Sequence, residues 1–360
     1  MRLFMKKYKL AIVGATGLVG RTVLKVLEER KLPISEYVLF ASKKSAGKKV
    51  NFMGKEYVVK ELNEHSFDEG FDFAIFSAGG DTSKKYSPIA ASKGCVVVDN
   101  SSAFRMDENV PLVVPEVNPE EIQNNHGIIA NPNCSTIQAV VALKPLDDKY
   151  KIKRIVYSTY QAVSGAGRNG VMDLENGVKY YLTNKSYLDT VYSEDDESML
   201  INETQENYEL SKFPHPIFSN CLPHIDVFLD NSYTKEEEKM INETRKILKR
   251  PDLRITATTV RVPVFNSHSE SINVEFEKDF DMQELIDTLK SFPNLIVQDD
   301  VKNDVYPLAI QASGKDEVFV GRIRRDFSVD SGINLWVVAD NIRKGAATNA
   351  VQIVEELCKK

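Results

Sequence analysis

One cysteine in the stretch NPNCSTIQAVVALKPL stands where a thiol could do chemistry. Pro132 interrupts what precedes it, and Asn133, Ser135 and Thr136 are residue types favoured at a helix start. From Ile137 the apolar residues fall at 137, 140, 141 and 143, the spacing of an amphipathic helix. Cys134 is therefore expected within about one residue of a helix N-terminus, where unpaired N–H groups and the helix dipole stabilise an anion. Such placement lowers a thiol pKa from about 8.5 into the range of roughly 3.5 to 7.5, giving a thiolate nucleophile at neutral pH. On this stretch alone, a small hydrophobe that happens to lie at an element boundary is an equal alternative.

A second cluster suits phosphate rather than carbon chemistry. Gly14, Gly17 and Gly20 form GxxGxxG directly after the apolar run Leu10 to Val13 and before a helical pattern. Glycines so placed permit a tight turn and the approach of a pyrophosphate to the next helix's N-terminus, although close packing alone also selects glycine. Where a second strand ends, an NAD-binding fold commonly carries an acid for the ribose 2′-hydroxyl. This chain has FASKKSAGKK instead, with Ser42, Lys44 and Ser45 suited to a 2′-phosphate. Charge-assisted bonds worth about 1.5–3 kcal/mol each favour NADP over a merely solvated lysine loop.

These residues need a scaffold, and the first third supplies one. Apolar strands are expected in the segments AIV, EYVLFAS, FDFAIFSAG, GCVVVDNSS and HGIIANP, separated by helical patterns. That alternation implies a doubly wound parallel sheet covered on both faces. Beyond it, RIVYSTYQAVSGAG reads as a strand running into a Ser-Gly turn, and TKEEEKMINETRKILKR as a charged helix. ITATTVRVPVFNSHSESINVEFE, EVFVGRIRRDF and GINLWVVADN alternate as strands, DMQELIDTLKSFPN has a helical period, and the C-terminal GAATNAVQIVEELCKK is an amphipathic helix. Residues 172–212 are rich in Glu, Asp, Asn, Tyr and Ser and read as a surface excursion or a partly helical subdomain. The fold class is α/β: a Rossmann-like sheet in residues 1–133, then an α+β unit with a mixed sheet in 134–340. Residues 341–360 return as a helix onto the first unit.

Bulk properties narrow the function classes. The 360 residues carry a net charge of −6 and no long basic run, which argues against nucleic acid as a partner. No apolar stretch reaches the ~18 residues a membrane span needs. Cys95, Cys134, Cys221 and Cys358 are scattered without CxxC spacing, so neither a disulfide framework nor a metal site is expected, and a reducing cytoplasm fits best.

Seven motifs in order, GATGLVG, DNSSAFRM, VPEVN, NPNCSTIQ, QAVSGAG, RVPVFNSHSES and WVVADNIRKGAA, together resemble the aspartate-β-semialdehyde dehydrogenase family over nearly the whole chain. The resemblance implies reduction of 4-phospho-aspartate by NADPH to aspartate-4-semialdehyde with release of phosphate, through a thioester on Cys134, in lysine, methionine and threonine synthesis. It also implies His268 as general acid/base and Gln161 as the residue that orients substrate. Arg261 would grip the substrate α-carboxylate, with Arg105 and Lys239 on the phosphate, Glu236 as a substrate-contacting acid and Asn133 as a further polar contact. Gly14, Thr16, Gly17, Leu18 and Val19 would meet the pyrophosphate, and Ser164, Gly165 and Asn341 the rest of the cofactor. A homodimer or homotetramer is implied, with 172–212 contributing to its interface. Two matters of spacing stay open. Glu237 and Glu238 adjoin Glu236, and the seven-residue separation of Arg261 and His268 would put them on opposite faces of one strand unless Pro263 and the NSH segment break it. An N-acetyl-glutamyl-phosphate-type reductase, a non-catalytic nucleotide sensor of the same fold and an interaction scaffold using the acidic 172–212 region are the alternatives.

Overall fold

The computed structural model describes residues 7–184 and 210–359; much of the 172–212 segment discussed above lies outside them. Six parallel strands form the first sheet: β1 (Tyr8–Val13), β2 (Ile34–Ala41), β5 (Lys60–Glu61), β6 (Phe73–Phe76), β7 (Val96–Asp99) and β8 (Ile128–Ala130). Their spatial order is β5-β2-β1-β6-β7-β8, so the chain reverses direction across the sheet between β1 and β6. A doubly wound sheet binds its ligand at such a switch point, beyond the carboxyl ends of the strands. Between β2 and β5 lies a hairpin, β3 (Lys49–Phe52) with β4 (Lys55–Val58), that the sequence reading left unassigned.

Glycines fit the turn between β1 and α1 (Leu18–Arg30) for steric reasons. Gly14 has φ +85°, and a Cβ there would lie 2.3 Å from the Ser77 carbonyl oxygen after β6. At Gly20 a Cβ would lie 2.1 Å from the Gly14 oxygen, so helix and turn close only around hydrogen atoms. The other face of the sheet is covered in part by α2 (Gly80–Ser92).

The second sheet is mixed, in the order β10-β9-β11-β14-β13-β12. Its central strands β9 (Ile152–Gln161), β11 (His268–Phe276) and β14 (Gly332–Ala339) pair antiparallel. At the edges β10 (Arg254–Arg261) runs parallel to β9, and β12 (Leu295–Val297) parallel to β13 (Val318–Arg325). Alternation sends Ile155, Tyr157, Thr159 and Gln161 of β9 to one buried face. Against that face pack α3 (Cys134–Tyr150), α5 (Lys235–Leu248) and α6 (Met282–Lys290), while α4 (Gly167–Asn184) follows β9. The expected amphipathic stripe on α3 is replaced by burial all round: every residue from Ser135 to Leu143 is buried, Thr136 and Gln138 included. Over this stretch the sheet covers the helix on one side and α5 and the C-terminal segment on the other, and only beyond it do Asp148 and Lys149 meet solvent. The last helix, α7 (Asn349–Cys358), packs on α1 and on the first sheet beside β6 and β7.

Inside the second sheet, Glu270 of β11 is wholly buried, and neither carboxyl oxygen meets a hydrogen-bond partner among the described residues. Burial pushes its pKa well above the ordinary 4.5, so the folded protein holds it neutral. In the unfolded chain the same group ionises normally. Folding is therefore unpenalised below that ordinary value and loses about 1.4 kcal/mol per pH unit above it, until the raised folded value is reached. Glu270→Gln removes the ionisation. Urea denaturation at several pH values should show the variant gaining on the parent as pH rises from about 5 to about 8. A stability difference that stayed constant over that range would show that Glu270 titrates as an ordinary glutamate.

Candidate active site

Cys134 is the first residue of α3, as its neighbours in sequence suggest. Asn133 is the N-cap: its Oδ1 accepts from the Ser135 and Thr136 N–H groups at 3.0 and 3.2 Å. The thiol lies on a cleft of about 630 Å³ at the carboxyl end of the first sheet, lined also by Leu18, Val19, Arg105, Gln161, Glu236 and Arg261. Gly345 closes over Cys134, because a Cβ there would sit 2.8 Å from the Cys134 Cβ.

The electrostatic setting differs from the expectation of a depressed thiol pKa. Burial pushes the Cys134 thiol up to about 12, and the Glu236 carboxylate adds to the rise. Arg261, Arg105 and the Ser135 N–H act in the opposite sense without cancelling it. The helix N-terminus is present as expected, but burial first and the Glu236 charge second raise the thiol pKa. The free protein thus holds a protonated thiol.

The open question about Arg261 and His268 is settled by the chain between them. After β10 ends at Arg261 the backbone turns, passes through Ser267 at φ +74° and re-enters the sheet at His268 on the other side of β9. Both side chains then meet the same peptide: Arg261 Nη1 donates to the Ala162 carbonyl at 2.7 Å, and the Ala162 N–H donates to His268 Nδ1 at 3.0 Å. Gly165 separates them, since a Cβ there would lie 2.9 Å from Arg261 Nη1 and 3.2 Å from His268 Nε2. Burial first, and the Arg261 charge second, hold the His268 pKa well below its ordinary value. With Nδ1 accepting, the neutral ring carries its proton on Nε2, a buried atom with no protein partner among the described residues.

The register of the three glutamates is equally clear. Glu236 turns into the site, where its Oε1 accepts from Asn133 Nδ2 at 2.8 Å and Gln161 Nε2 at 3.3 Å. Glu237 instead completes a capping box with Thr234, and Glu238 bonds Asn231 and Asn242. Burial alone would raise the Glu236 carboxyl, but Lys239, the Asn133 amide and Arg261 hold it below the usual range. Lys239 lies between Glu236 at 3.2 Å and Asp226 at 2.7 Å. Asp226 and Glu243 were not singled out in the sequence, because only the fold carries them to Lys239 and Arg105. Gly345 lies within the motif WVVADNIRKGAA, but its contact with Cys134, 211 residues away along the chain, is made only by the fold.

The nucleotide turn lies at the same end of the first sheet. Gly17 caps α1 without any side-chain hydrogen bond, and the first turn carries no acid, so its N–H groups suit a phosphate. Leu18 and Val19 reach the cleft, as do Ser164, Gly165 and Asn341, the last bonded to Ser164 and to the Ser267 N–H. Thr16 lies in the turn itself. Ser42 precedes a short turn, Lys43–Ser45, beyond the end of β2, and this group with Lys44 is not among the cleft-lining residues. Along the chain no acid accompanies it, yet β5 pairs Glu61 with Ala41, one residue before Ser42. The residues present fit a dinucleotide. No group of three or more His, Cys, Asp or Glu among the described residues could hold a metal ion.

The raised thiol pKa has a direct test. Alkylation of Cys134 by iodoacetamide, followed peptide by peptide because three other thiols are free, should accelerate roughly tenfold per pH unit up to about pH 9. A plateau below about pH 8 would restore the thiolate expected from the helix N-terminus alone.

Comparison with known proteins agrees with this architecture. Residues 9–125 match the model of the semialdehyde dehydrogenase NAD binding domain, and residues 143–344 that of the semialdehyde dehydrogenase dimerisation domain. The aspartate-semialdehyde dehydrogenase of Aquifex aeolicus is 56% identical over 98% of both chains, and that of Campylobacter jejuni 49% identical over 98% of this chain and 97% of its own. Aspartate semialdehyde dehydrogenase II of Vibrio cholerae, solved in complex with ASA, superposes with a TM-score of 0.89 at 46% identity over 99% of each chain. With both parts matched and relatives this similar along nearly its full length, the chain belongs to the aspartate-semialdehyde dehydrogenase family.

Proposed function

We propose that this chain reduces 4-phospho-L-aspartate to L-aspartate-4-semialdehyde with NADPH, releasing phosphate, as a step toward lysine, methionine and threonine. The observation that carries this reading is the convergence on one cleft of a cysteine at a helix N-terminus with three cations from separate elements, Arg105, Lys239 and Arg261. A substrate with a phosphate at one end and a carboxylate at the other needs such a division. Arg105 and Lys239 bind the phosphate, Arg261 binds the α-carboxylate with the planar fork suited to it, and Glu236 receives the α-ammonium. Gln161 and Asn133, both bonded to Glu236, orient the carbonyl beside the sulfur.

The thiol pKa shapes the first step. Cys134 attacks the acyl carbon as the carbon–oxygen bond to phosphate breaks, and its proton leaves with the phosphate. A thioester remains. Bound NADPH supplies the hydride that reduces it. The His268 Nε2–H donates a hydrogen bond to the oxyanion of the tetrahedral adduct while keeping its proton, and the adduct collapses to aldehyde and a Cys134 thiolate that takes up one proton. A neutral ring held as donor suits this role.

Residues 1–133 serve the nucleotide and 134–340 the chemistry and subunit contacts, with 341–360 docking back on the first unit. Gly14, Thr16, Gly17, Leu18 and Val19 hold the pyrophosphate, and Ser164, Gly165 and Asn341 the nicotinamide side. Ser42, Lys44 and Ser45 select the 2′-phosphate. The matched dimerisation domain supports a homodimer, or a homotetramer built from it, and free cysteines suit the cytoplasm.

The test is NADP reduction in the reverse direction, with aspartate-4-semialdehyde and phosphate. Phosphate-dependent NADPH formation is expected, and Cys134→Ala should abolish it while still binding NADPH. Activity only with N-acetyl-glutamate semialdehyde would move the substrate, and silence with both would leave a nucleotide sensor. Cofactor choice is checked separately. Lys44→Ala should raise the KM for NADP about ten- to hundredfold, as loss of one charge-assisted bond implies, and leave any NAD-dependent rate unchanged. Equal effects on both cofactors would remove Lys44 from the 2′-phosphate.

A further inference from the structure

We propose that Glu243 is a positioning residue that fixes the phosphate-side arginine and the nucleophile's helix to one another; this rests on the proposed acyl-phosphate chemistry. Glu236, Lys239 and Glu243 follow at i, i+3 and i+7 on α5, so one face of that helix points at the site. The first two reach the cleft. Glu243 lies below them, 1% exposed, with both oxygens committed. Its Oε1 accepts from Arg105 Nη1 at 3.0 Å, and its Oε2 accepts from the Asn133 backbone N–H at 2.6 Å.

That second bond is unusual in what it holds. The Asn133 peptide immediately precedes Cys134, and its N–H is turned away from the α3 axis into α5. The first bond completes the seating of Arg105, whose Nε donates to the Asn131 carbonyl and Nη2 to the Asn100 carbonyl, both at 2.9 Å. Three acceptors fix the guanidinium plane and leave one N–H on each terminal nitrogen for an anion in the cleft. One carboxylate thereby sets the distance between the group that receives the phosphate and the sulfur that displaces it. Burial first, with the Glu236 charge nearby, raises the Glu243 pKa above its ordinary value, although Arg105 and the Asn133 N–H act in the opposite sense. Both oxygens nonetheless accept from donors, as only a carboxylate's can. Two donors meeting two oxygens require the carboxylate's symmetry. A carboxamide of the same shape satisfies one donor and turns its NH₂ toward the other.

Glu243→Gln is the test, assayed in the phosphate-dependent reverse reaction. A roughly tenfold or greater rise in the KM for phosphate is expected, together with a comparable fall in kcat. The KM for NADP and NADPH binding by fluorescence should stay within about twofold of the parent. Glu243→Asp, which keeps both oxygens on a stem one methylene shorter, should recover part of each loss. In an Arg105→Lys background the Glu243→Gln effect on the phosphate KM should largely vanish, because the partner of the first bond is already changed. Parent-like phosphate KM and kcat in Glu243→Gln would overturn the inference. So would a uniform loss, in both Glu243 variants, that included NADPH binding, which would mark a purely structural acid. A parent protein without phosphate-dependent activity would instead refute the proposed reaction, and this inference with it.

Discussion

Asn133 is the point on which the site depends. Its Oδ1 caps α3, its Nδ2 reaches Glu236, and its backbone N–H reaches Glu243. As a cap alone it would be worth about 1 kcal/mol, an amount many surface residues match. Its other two bonds give it more weight, because each ends on a buried carboxylate of α5, and a buried acceptor left unmatched costs about 1–3 kcal/mol. The start of α3 at Cys134 is therefore held against fraying. Its position relative to α5 is set by side chains, and α5 is itself anchored to the second sheet, with Glu237 accepting from the Thr259 N–H of β10.

Charge in the cleft follows a pattern that this anchoring makes possible. Arg105 has Glu243, and Lys239 has both Glu236 and Asp226. Arg261 differs: among the described residues no carboxylate forms an ion pair with it, and its Nη1 bonds a carbonyl instead. An arginine 5% exposed without a paired acid is a costly arrangement in an empty cavity and a favourable one beneath a carboxylate ligand. After burial, the same charge lowers the His268 pKa further, and it opposes the rise of the Cys134 thiol. One cation thus acts on the imidazole and the thiol together, and burial first and Glu236 second oppose it at the thiol.

Features encoded by neighbours in sequence could be read from the chain. The cap at Asn133, the turn glycines, the parallel strands and the capping helix Lys235–Leu248 each announce themselves within a few residues. Motif resemblance extended this to His268, Arg261 and Gln161, which the structure indeed gathers around Ala162 and Glu236. What stayed hidden depends on packing between distant segments. Glu243 looks like one more acid on a charged helix, and Glu270 like a polar residue on an alternating strand. The thiol's raised pKa has the same origin: the helix dipole is local and legible, whereas the packing that buries Cys134, and Glu236 from 102 residues away, come only with the fold.

The C-terminal segment shows why the two sheets act on one reaction. Residues Arg343–Thr348 form a π-turn, with Gly345 N–H bonded to the Asp340 carbonyl and Ala347 N–H to that of Ile342. A π-turn accommodates one residue more per turn than an α-helix and so shifts which side chains face which neighbour. Here Gly345 faces Cys134, while Lys344 beside it is fully buried against Glu116 at 2.6 Å and against Asn349 and Gln352. Removing either ion of such a pair leaves the other stranded at a cost of about 3–5 kcal/mol, far more than one residue of π geometry would cost. A few residues on, α7 packs on α1, the helix that opens at the nucleotide turn. At about 1.5 Å per helical residue, the step from Gly345 to the start of α7 is only about 6 Å. Cys134 and the helix that opens at the nucleotide turn are therefore linked by one short, internally bonded segment that packs on both.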